Sequence, residues 1–229
     1  GSEPETQAIE AYVRSLWPDG RGPARTDAAP ADTSGIHIDV HSYSQLVLWP
    51  WGDTSTPAPN GAALQTLGRK FAFFNGYTPQ QSIGLYATDG TSDGVSYGEL
   101  GVPAYTIELG TSFFQSCTDY TNTIQPNNLQ ALIYAAKVVR TPYLTPGGPD
   151  LTSVSLSSST VPAGTAVTLT GSATDSRFNN SNGAEATQNV AAAEYYIDTP
   201  PWAGGTARTL AAADGTFNAT TEGLSGSID

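Results

Sequence analysis

Apolar residues recur at helical spacing in three stretches of the chain and alternate with polar ones in several others. Ile9, Val13, Leu16 and Trp17 follow a Ser2-Glu3-Pro4-Glu5 start with the form of a capping box, and Pro18-Asp19-Gly20 ends the run, which predicts an N-terminal helix. Arg21 to Ser34 is rich in Pro, Ala and Asp without periodicity and reads as a surface loop. From Gly35 the pattern changes to period two: Ile36, Ile38 and Val40 share one face of a strand, and His37, Asp39 and His41 share the other. That strand runs into an aromatic turn, Trp49-Pro50-Trp51-Gly52. Asn60 is placed to cap a second helix, with Leu64, Leu67, Phe71 and Phe74 along its buried face and Asn75-Gly76 at its end. Ser82 to Thr88 and Ala104 to Leu109 read as strands, separated by a polar turn or short helical start at Thr91-Ser92-Asp93-Gly94. Asn127 or Asn128 caps a third helix, with Leu129, Leu132, Ile133, Ala136 and Val139 on its buried side.

Helices alternating with strands predict an α/β fold whose central sheet is mixed and flanked by helices, spanning residues 1–145. A Pro- and Gly-rich linker at 146–150 separates it from residues 151–229, where Val154 to Leu156, Ala166 to Thr170 and Glu194 to Asp198 alternate at period two. This second region predicts a small antiparallel β-sandwich of immunoglobulin-like type. About five strands can be drawn where such a sandwich needs about seven, so it is expected to be truncated.

Composition narrows the partners. The 229 residues carry a net charge of −12, which disfavours nucleic acid and anionic membrane surfaces. No apolar run of about 18 residues is present, so no membrane span is predicted, and the start shows no signal-peptide pattern. Two lysines, no methionine and a surface of Ser, Thr, Asn, Gly and Pro suggest a secreted protein. Cys117 is the only cysteine, which reads either as a buried free thiol or as half of a disulfide with an absent partner. Asp175, Asn179, Asn180 and Asn182 offer oxygen ligands for calcium or serve as polar loop residues, and their spacing matches no EF-hand.

The candidate chemistry starts with the two histidines. His37, Asp39 and His41 in line on one strand face lie about 6.6 Å apart in succession, too spread to converge on a first-row metal. Asp39 suits a supporting acceptor for a neighbouring ligand, and His37 suits a structural role. Glu108, at the end of an apolar strand, needs solvent, a partner or a metal.

Taken together, His41-Ser42-Tyr43-Ser44-Gln45, the aromatic turn closing on Gly52, Tyr86 ahead of a Gly-Thr-Ser-Asp turn, and Tyr105-Thr106-Ile107-Glu108-Leu109 resemble the zinc metallocarboxypeptidases of the A, B and T type. The resemblance extends from Gly1 to about Pro142 and corresponds to the C-terminal half of that catalytic domain. It implies that His41 is one of three zinc ligands and Glu108 the general base. It further implies that Tyr86 closes over a substrate's terminal carboxylate, that Ser42 and Tyr43 line the cleft, and that Gly52, Gln81 and Asp93 build the side-chain pocket. At the base of that pocket Asp93 would favour Lys or Arg, unless its turn orients it away. The family's upstream His-x-x-Glu zinc ligands and substrate-binding arginines have no counterpart in the chain. The resemblance therefore implies a fragment, inactive alone and completed by a complementary N-terminal segment, with peptide or protein C-termini as substrates. The alternative is a secreted non-catalytic binding protein that uses the Trp49 and Trp51 turn and the β-sandwich.

Overall fold

The computed structural model describes residues 3–228, in two compact units: Gly1–Gly147 with Phe178–Glu185, and Gly148–Arg177 with Ala186–Asp229. In the first unit, four strands, β1 (His37–Ser42), β2 (Leu46–Trp49), β3 (Thr78–Gln81) and β4 (Ala104–Leu109), form a mixed sheet in the order β1-β4-β2-β3. β1 runs parallel to β4, β2 antiparallel to β4, and β3 parallel to β2. The mixed sheet with flanking helices agrees with the predicted α/β class.

α1 (Pro4–Leu16) begins with proline inside its first turn; the predicted cap Ser2 lies outside the described residues. Of its expected apolar face only Val13 is buried, joining Leu100 and Val102 with Trp17 and Val95 packed against them. Ile9 and Leu16 are exposed, because α1 rests on this small cluster and not on the sheet. α2 (Gly61–Asn75) matches its predicted bounds, and Gly76 ends it in the left-handed conformation at φ 74°. Its Leu64, Leu67 and Phe71 are fully buried against Val47, Trp49, Tyr105 and Ile107 of the sheet. Gly68 is required there: a Cβ would stand 2.7 Å from the Trp49 ring. Asn60 makes no side-chain cap and instead pairs with the Ala29 backbone, accepting from its N–H at 2.8 Å and donating to its carbonyl at 3.0 Å.

Three element assignments change. β2 is a separate buried strand that the reading of one strand running into an aromatic turn did not distinguish. The strand expected at Ser82 to Thr88 lies earlier, at Thr78–Gln81, where Pro79 is tolerated because β3 is the sheet edge; Ser82 then donates to the Trp49 carbonyl at 3.0 Å and turns the chain into a short 3₁₀ segment. The third helix begins before Asn127, as a single turn α4 (Cys117–Asp119) that passes through a π-turn (Tyr120–Ile124) into α5 (Gln125–Val138). Its buried face is Ile124, Asn128, Ala131, Tyr134, Ala135 and Val138, while Leu129, Leu132, Ile133 and Val139 are partly or largely exposed. Small Ala131 and Ala135 permit close approach to α2. Asn128 donates to the Tyr77 hydroxyl at 3.0 Å and accepts from Asn75 at 3.1 Å, completing a buried network that the larger side chains could not join. α3 (Ser92–Ser96) is the short helix foreseen as a helical start.

Segment 178–185 belongs to the first unit. Asn179 donates to the carbonyls of Ala72 at 3.2 Å and Tyr77 at 2.8 Å, Asn182 donates to that of Pro79 at 3.1 Å, and Glu185 pairs with the buried Arg69 at 2.6 Å. Asp175 belongs to the other unit and accepts from the Gln188 N–H at 2.6 Å.

In the second unit β5 (Asp150–Leu156), β6 (Val167–Thr174), β7 (Ala193–Tyr195), β8 (Arg208–Ala212) and β9 (Thr221–Ile228) form one antiparallel sheet ordered β5-β6-β9-β8-β7. Leu169, Ala173, Val190, Leu210 and Leu224 are its buried cluster.

Arg69 and Glu185 are both largely buried, so removing one partner leaves an uncompensated charge. Glu185→Ala is expected to destabilise the first unit by about 3–5 kcal/mol, whereas the double replacement Arg69→Met with Glu185→Leu is expected to recover most of that loss. Urea unfolding followed by tryptophan fluorescence reads this unit preferentially, since Trp17, Trp49 and Trp51 lie in it and only Trp202 in the other.

Candidate active site

Strand alternation and register assemble the site. β1 and β4 pair His37 with Ala104, Asp39 with Thr106 and His41 with Glu108; β2 places Leu46 opposite Glu108 and Leu48 opposite Thr106. His37, Asp39, His41, Leu48, Thr106 and Glu108 therefore share one face of the sheet, and Ile36, Ile38, Val47, Trp49, Tyr105 and Ile107 face the helices. Neighbouring strands lie about 4.8 Å apart, which brings His41 and Glu108 side by side at the C-terminal ends of parallel strands.

This face floors a cavity of about 150 Å³ that gathers His41, Glu108, Tyr86 and Asp93, with Asp39, Leu48, Ser82, Leu85, Ser92 and Thr106 in its walls. Tyr86 stands 63% exposed on irregular backbone between the 3₁₀ turn and α3. Asp93 is buried, and its Oδ1 has no hydrogen-bond partner; Glu108 Oε2 is likewise buried and unpartnered. Thr88, Thr91 and Asp93 also border a second cavity of about 280 Å³, lined by Gly52. Gly52 allows loop 86–91 to approach: a Cβ would meet the Thr88 hydroxyl at 2.3 Å, and its carbonyl accepts from the Thr88 N–H at 2.9 Å.

Of the other residues singled out in the sequence, Trp51 lines the second cavity beside Gly52, whereas Gln81, Ser42, Tyr43, Trp49 and Cys117 lie outside both. Gln81 Nε2 donates to the carbonyls of Trp51 at 3.0 Å and Thr54 at 2.6 Å, bracing the aromatic turn. Ser42 and Tyr43 are exposed at the end of β1, with Tyr43 edge-on to Phe113 at 4.9 Å. Trp49 is buried in the core, and the Trp51 ring lies beneath the guanidinium groups of Arg21 at 5.4 Å and Arg25 at 4.5 Å. The turn therefore offers no open aromatic platform of two rings. Cys117 is an exposed free thiol, not a buried one.

Leu48, Thr106, Ser82 and Ser92 were not foreseen as site residues. Strand parity identifies the first two once β2 is recognised as a strand; the serines carry no local signal.

The donor set suits part of a metal centre. His41 Nε2 lies 3.2 Å from Asp39 Oδ1, which leaves Nδ1 to face a metal while a carboxylate orients the ring. A histidine held in this way fits one position of a zinc site, and a catalytic zinc site needs three protein ligands. Among the described residues no group of three or more His, Cys, Asp and Glu side chains is gathered around a metal position.

Electrostatics separates the two carboxylates. Burial pushes Asp39 up, but hydrogen bonds from Ser92 and His41 outweigh it and hold its carboxyl below the ordinary aspartate value. Burial, with the charge of Asp39, raises Glu108 above the ordinary glutamate value against the pull of His41. The depressed Asp39 contributes stability above its unfolded pKa of 3.8, lost as pH falls through its folded value. Glu108 has the opposite sign: its protonated form is favoured in the fold, and that advantage fades as pH rises from 4.5 through its folded value. Carbon-detected NMR titration of the metal-free protein is expected to show Glu108 titrating at higher pH than Asp39 and above typical exposed glutamates. Ser92→Ala is expected to raise Asp39.

The chain is similar to known proteins. A family model described as zinc carboxypeptidase matches residues 1–131. A zinc carboxypeptidase of Saccharothrix mutabilis subsp. capreolus is 43% identical over 79 residues, 32% of this chain and 18% of that protein. Zinc carboxypeptidase A 1 of Anopheles gambiae is 34% identical over 116 residues, 47% of this chain and 24% of that protein. Carboxypeptidase B of Astacus astacus is 39% identical over 82 residues, 32% of this chain and 27% of that protein. A crystal structure of carboxypeptidase A from Helicoverpa armigera aligns with a TM-score of 0.45 at 18% identity, covering 63% of this chain and 35% of that one. The matched stretches thus span roughly a fifth to a quarter of the length of the curated relatives.

Proposed function

The chain belongs to the zinc carboxypeptidase family, and from that premise we propose that it is part of a secreted exopeptidase that releases C-terminal amino acids from peptides and proteins. The observation that carries this reading is the single cavity shared by His41, Glu108, Tyr86 and Asp93. His41 is one zinc ligand in this reading, and the remaining ligands come from a complementary N-terminal segment of the same protein, which also packs on the unpaired edge of β1. Among the described residues no helix is long and apolar enough to cross a membrane.

Zinc, when bound, polarises the scissile carbonyl and activates the attacking water. Glu108 accepts a proton from that water and delivers it to the departing amine; its raised pKa brings it nearer to both partners in basicity. Asp39 holds the His41 ring through Nε2, fixing which nitrogen is free for the metal. Tyr86, exposed on an irregular loop, swings over the cleft and donates its phenol to the terminal carboxylate of the substrate. Asp93 is buried with an orphaned oxygen, and the ammonium or guanidinium of a C-terminal Lys or Arg gives that oxygen a hydrogen-bond partner.

In the full-length zinc-loaded protein, Glu108→Gln is expected to lower kcat by about 10²–10⁴-fold, with zinc content unchanged. His41→Ala is expected to lose zinc by elemental analysis. Zinc near one equivalent in that variant sinks the ligand assignment, and full peptide hydrolysis by Glu108→Gln sinks the catalytic one. A peptide panel read by mass spectrometry is expected to show preferred release of Lys and Arg, abolished by Asp93→Asn. Wild-type protein that binds but cleaves none of the panel favours a non-catalytic binding protein.

A further inference from the structure

α3 has five residues, too few to hold a helical turn in water by its own hydrogen bonds, yet it carries the buried Asp93. Two hydroxyls hold it to the sheet. Ser92 Oγ donates to Asp39 Oδ2 at 2.5 Å, and Ser96 Oγ, in a fully buried residue, is hydrogen-bonded to His37 Nδ1 at 2.5 Å. The spacing explains why this pairing works. Ser92 and Ser96, at i and i+4, are separated by about 6.0 Å along a helix axis, and His37 and Asp39, at i and i+2, by about 6.6 Å along a strand. One face of a helical turn thus matches two successive same-face positions of β1, with the helix running against the strand. The Trp17 and His37 ring centroids lie 6.4 Å apart.

We infer that His37 and Ser96 are positioning residues for substrate selection: with the Asp39–Ser92 pair they dock α3 on β1 and so fix where the Asp93 carboxylate sits in the cleft. The inference rests on the reading of Asp93 as the partner of a basic C-terminal side chain. It assigns a role to His37, the histidine that neither lines the cavity nor approaches His41. Asp93 belongs to the same short helix as both anchors, next to Ser92 and three residues before Ser96, so a turn released at one end moves the carboxylate itself. Asp39 also touches His41, and Ser92 lines the cavity, so the clean probes are at the other end of the turn, Ser96 and His37.

The test uses the full-length zinc-loaded protein and acylated dipeptides ending in Lys or Leu, together with calorimetric titration by free L-arginine and L-leucine. Ser96→Ala and His37→Leu are each expected to raise KM for the Lys substrate and lower the Lys-to-Leu ratio of kcat/KM about tenfold, within the loss that a displacement of about 1 Å can cause. The kcat for the Leu substrate stays at the wild-type value, and L-arginine binding weakens in parallel. The double variant is expected to lose no more than either single one, since both break the same bond. His37→Asn, which retains a hydrogen-bonding group near the position of Nδ1, is expected to recover the ratio to within threefold. Asp93→Asn separates the two levels of the argument. If it leaves the ratio unchanged, the pocket reading fails and the positioning role falls with it. If it abolishes the ratio while Ser96→Ala and His37→Leu keep theirs within twofold, or lower both substrates equally with a fall in Tm, the pocket stands and the positioning role is overturned.

Discussion

The site depends on the parallel register between β1 and β4. His41 faces Glu108 only because Ile38 lies beside Tyr105 and Val40 beside Ile107. A slip of one residue would send every side chain of β1 to the opposite face relative to its neighbour. What holds the register is on the far side of the sheet. The Tyr105 hydroxyl donates to the Leu64 carbonyl at 2.8 Å, Phe71 packs edge-on to the Tyr105 ring at 5.0 Å, and Ile107 and Val47 are almost wholly buried beneath α2 and α5. Each large apolar side chain taken out of that core forfeits about 1.5–3 kcal/mol, so the polar face inherits its geometry from the apolar one.

The polar face in turn consists of groups that restrain one another. Asp39 is shared between His41 and Ser92, so the same carboxylate orients the ring expected to meet a metal and ties down the helix that carries Asp93. Glu108 differs from it by having fewer partners: one oxygen is buried and unpaired, and its proton is held more tightly. Two carboxylates on adjacent strands thus take opposite protonation tendencies from their surroundings alone, the pattern expected where one anion supports and the other exchanges protons.

The elements legible in the sequence are those with one strong period and a clear stop. α2, with its Leu64, Leu67 and Phe71 stripe and Gly76 terminator, and β4, with its alternating Tyr105, Ile107 and Glu108, both have that form. α5 was misread because it is apolar on two sides: Leu129, Leu132 and Ile133 advertise a core face, while Ala131, Ala135 and Asn128 are the residues that fit α2 and the Asn75–Tyr77 network. β3 lies at Thr78–Gln81, ahead of the expected Ser82 to Thr88, and its Pro79 is accommodated because the strand is at the sheet edge. At the site, the shared side of His37, Asp39 and His41 follows from alternation, whereas the roles of His41 and Glu108 came from resemblance. The links from Ser92 to Asp39 and from Ser96 to His37 join residues 53 and 59 positions apart, so no local pattern announces them.

The composition break at 146–150 marks where the backbone first passes from one unit to the other, but the first packed unit also takes in Phe178–Glu185. Arg69 and Lys70 are adjacent buried cations near the middle of α2, an arrangement that opposes folding unless the charges find partners. Arg69 finds them in residues far along the chain: the carbonyls of Asn182 and Ala184 and the carboxylate of Glu185. The Lys70 ammonium lies 4.1 Å from the centre of the Phe178 ring. The helix packed against β2 and β4 therefore carries, in Arg69, a buried charge whose carboxylate partner lies more than a hundred residues further along the chain. The covalent boundary and the cooperative boundary then differ for a physical reason: the charge in α2 requires segment 178–185, and the segment's asparagines require the carbonyls of Ala72, Tyr77 and Pro79.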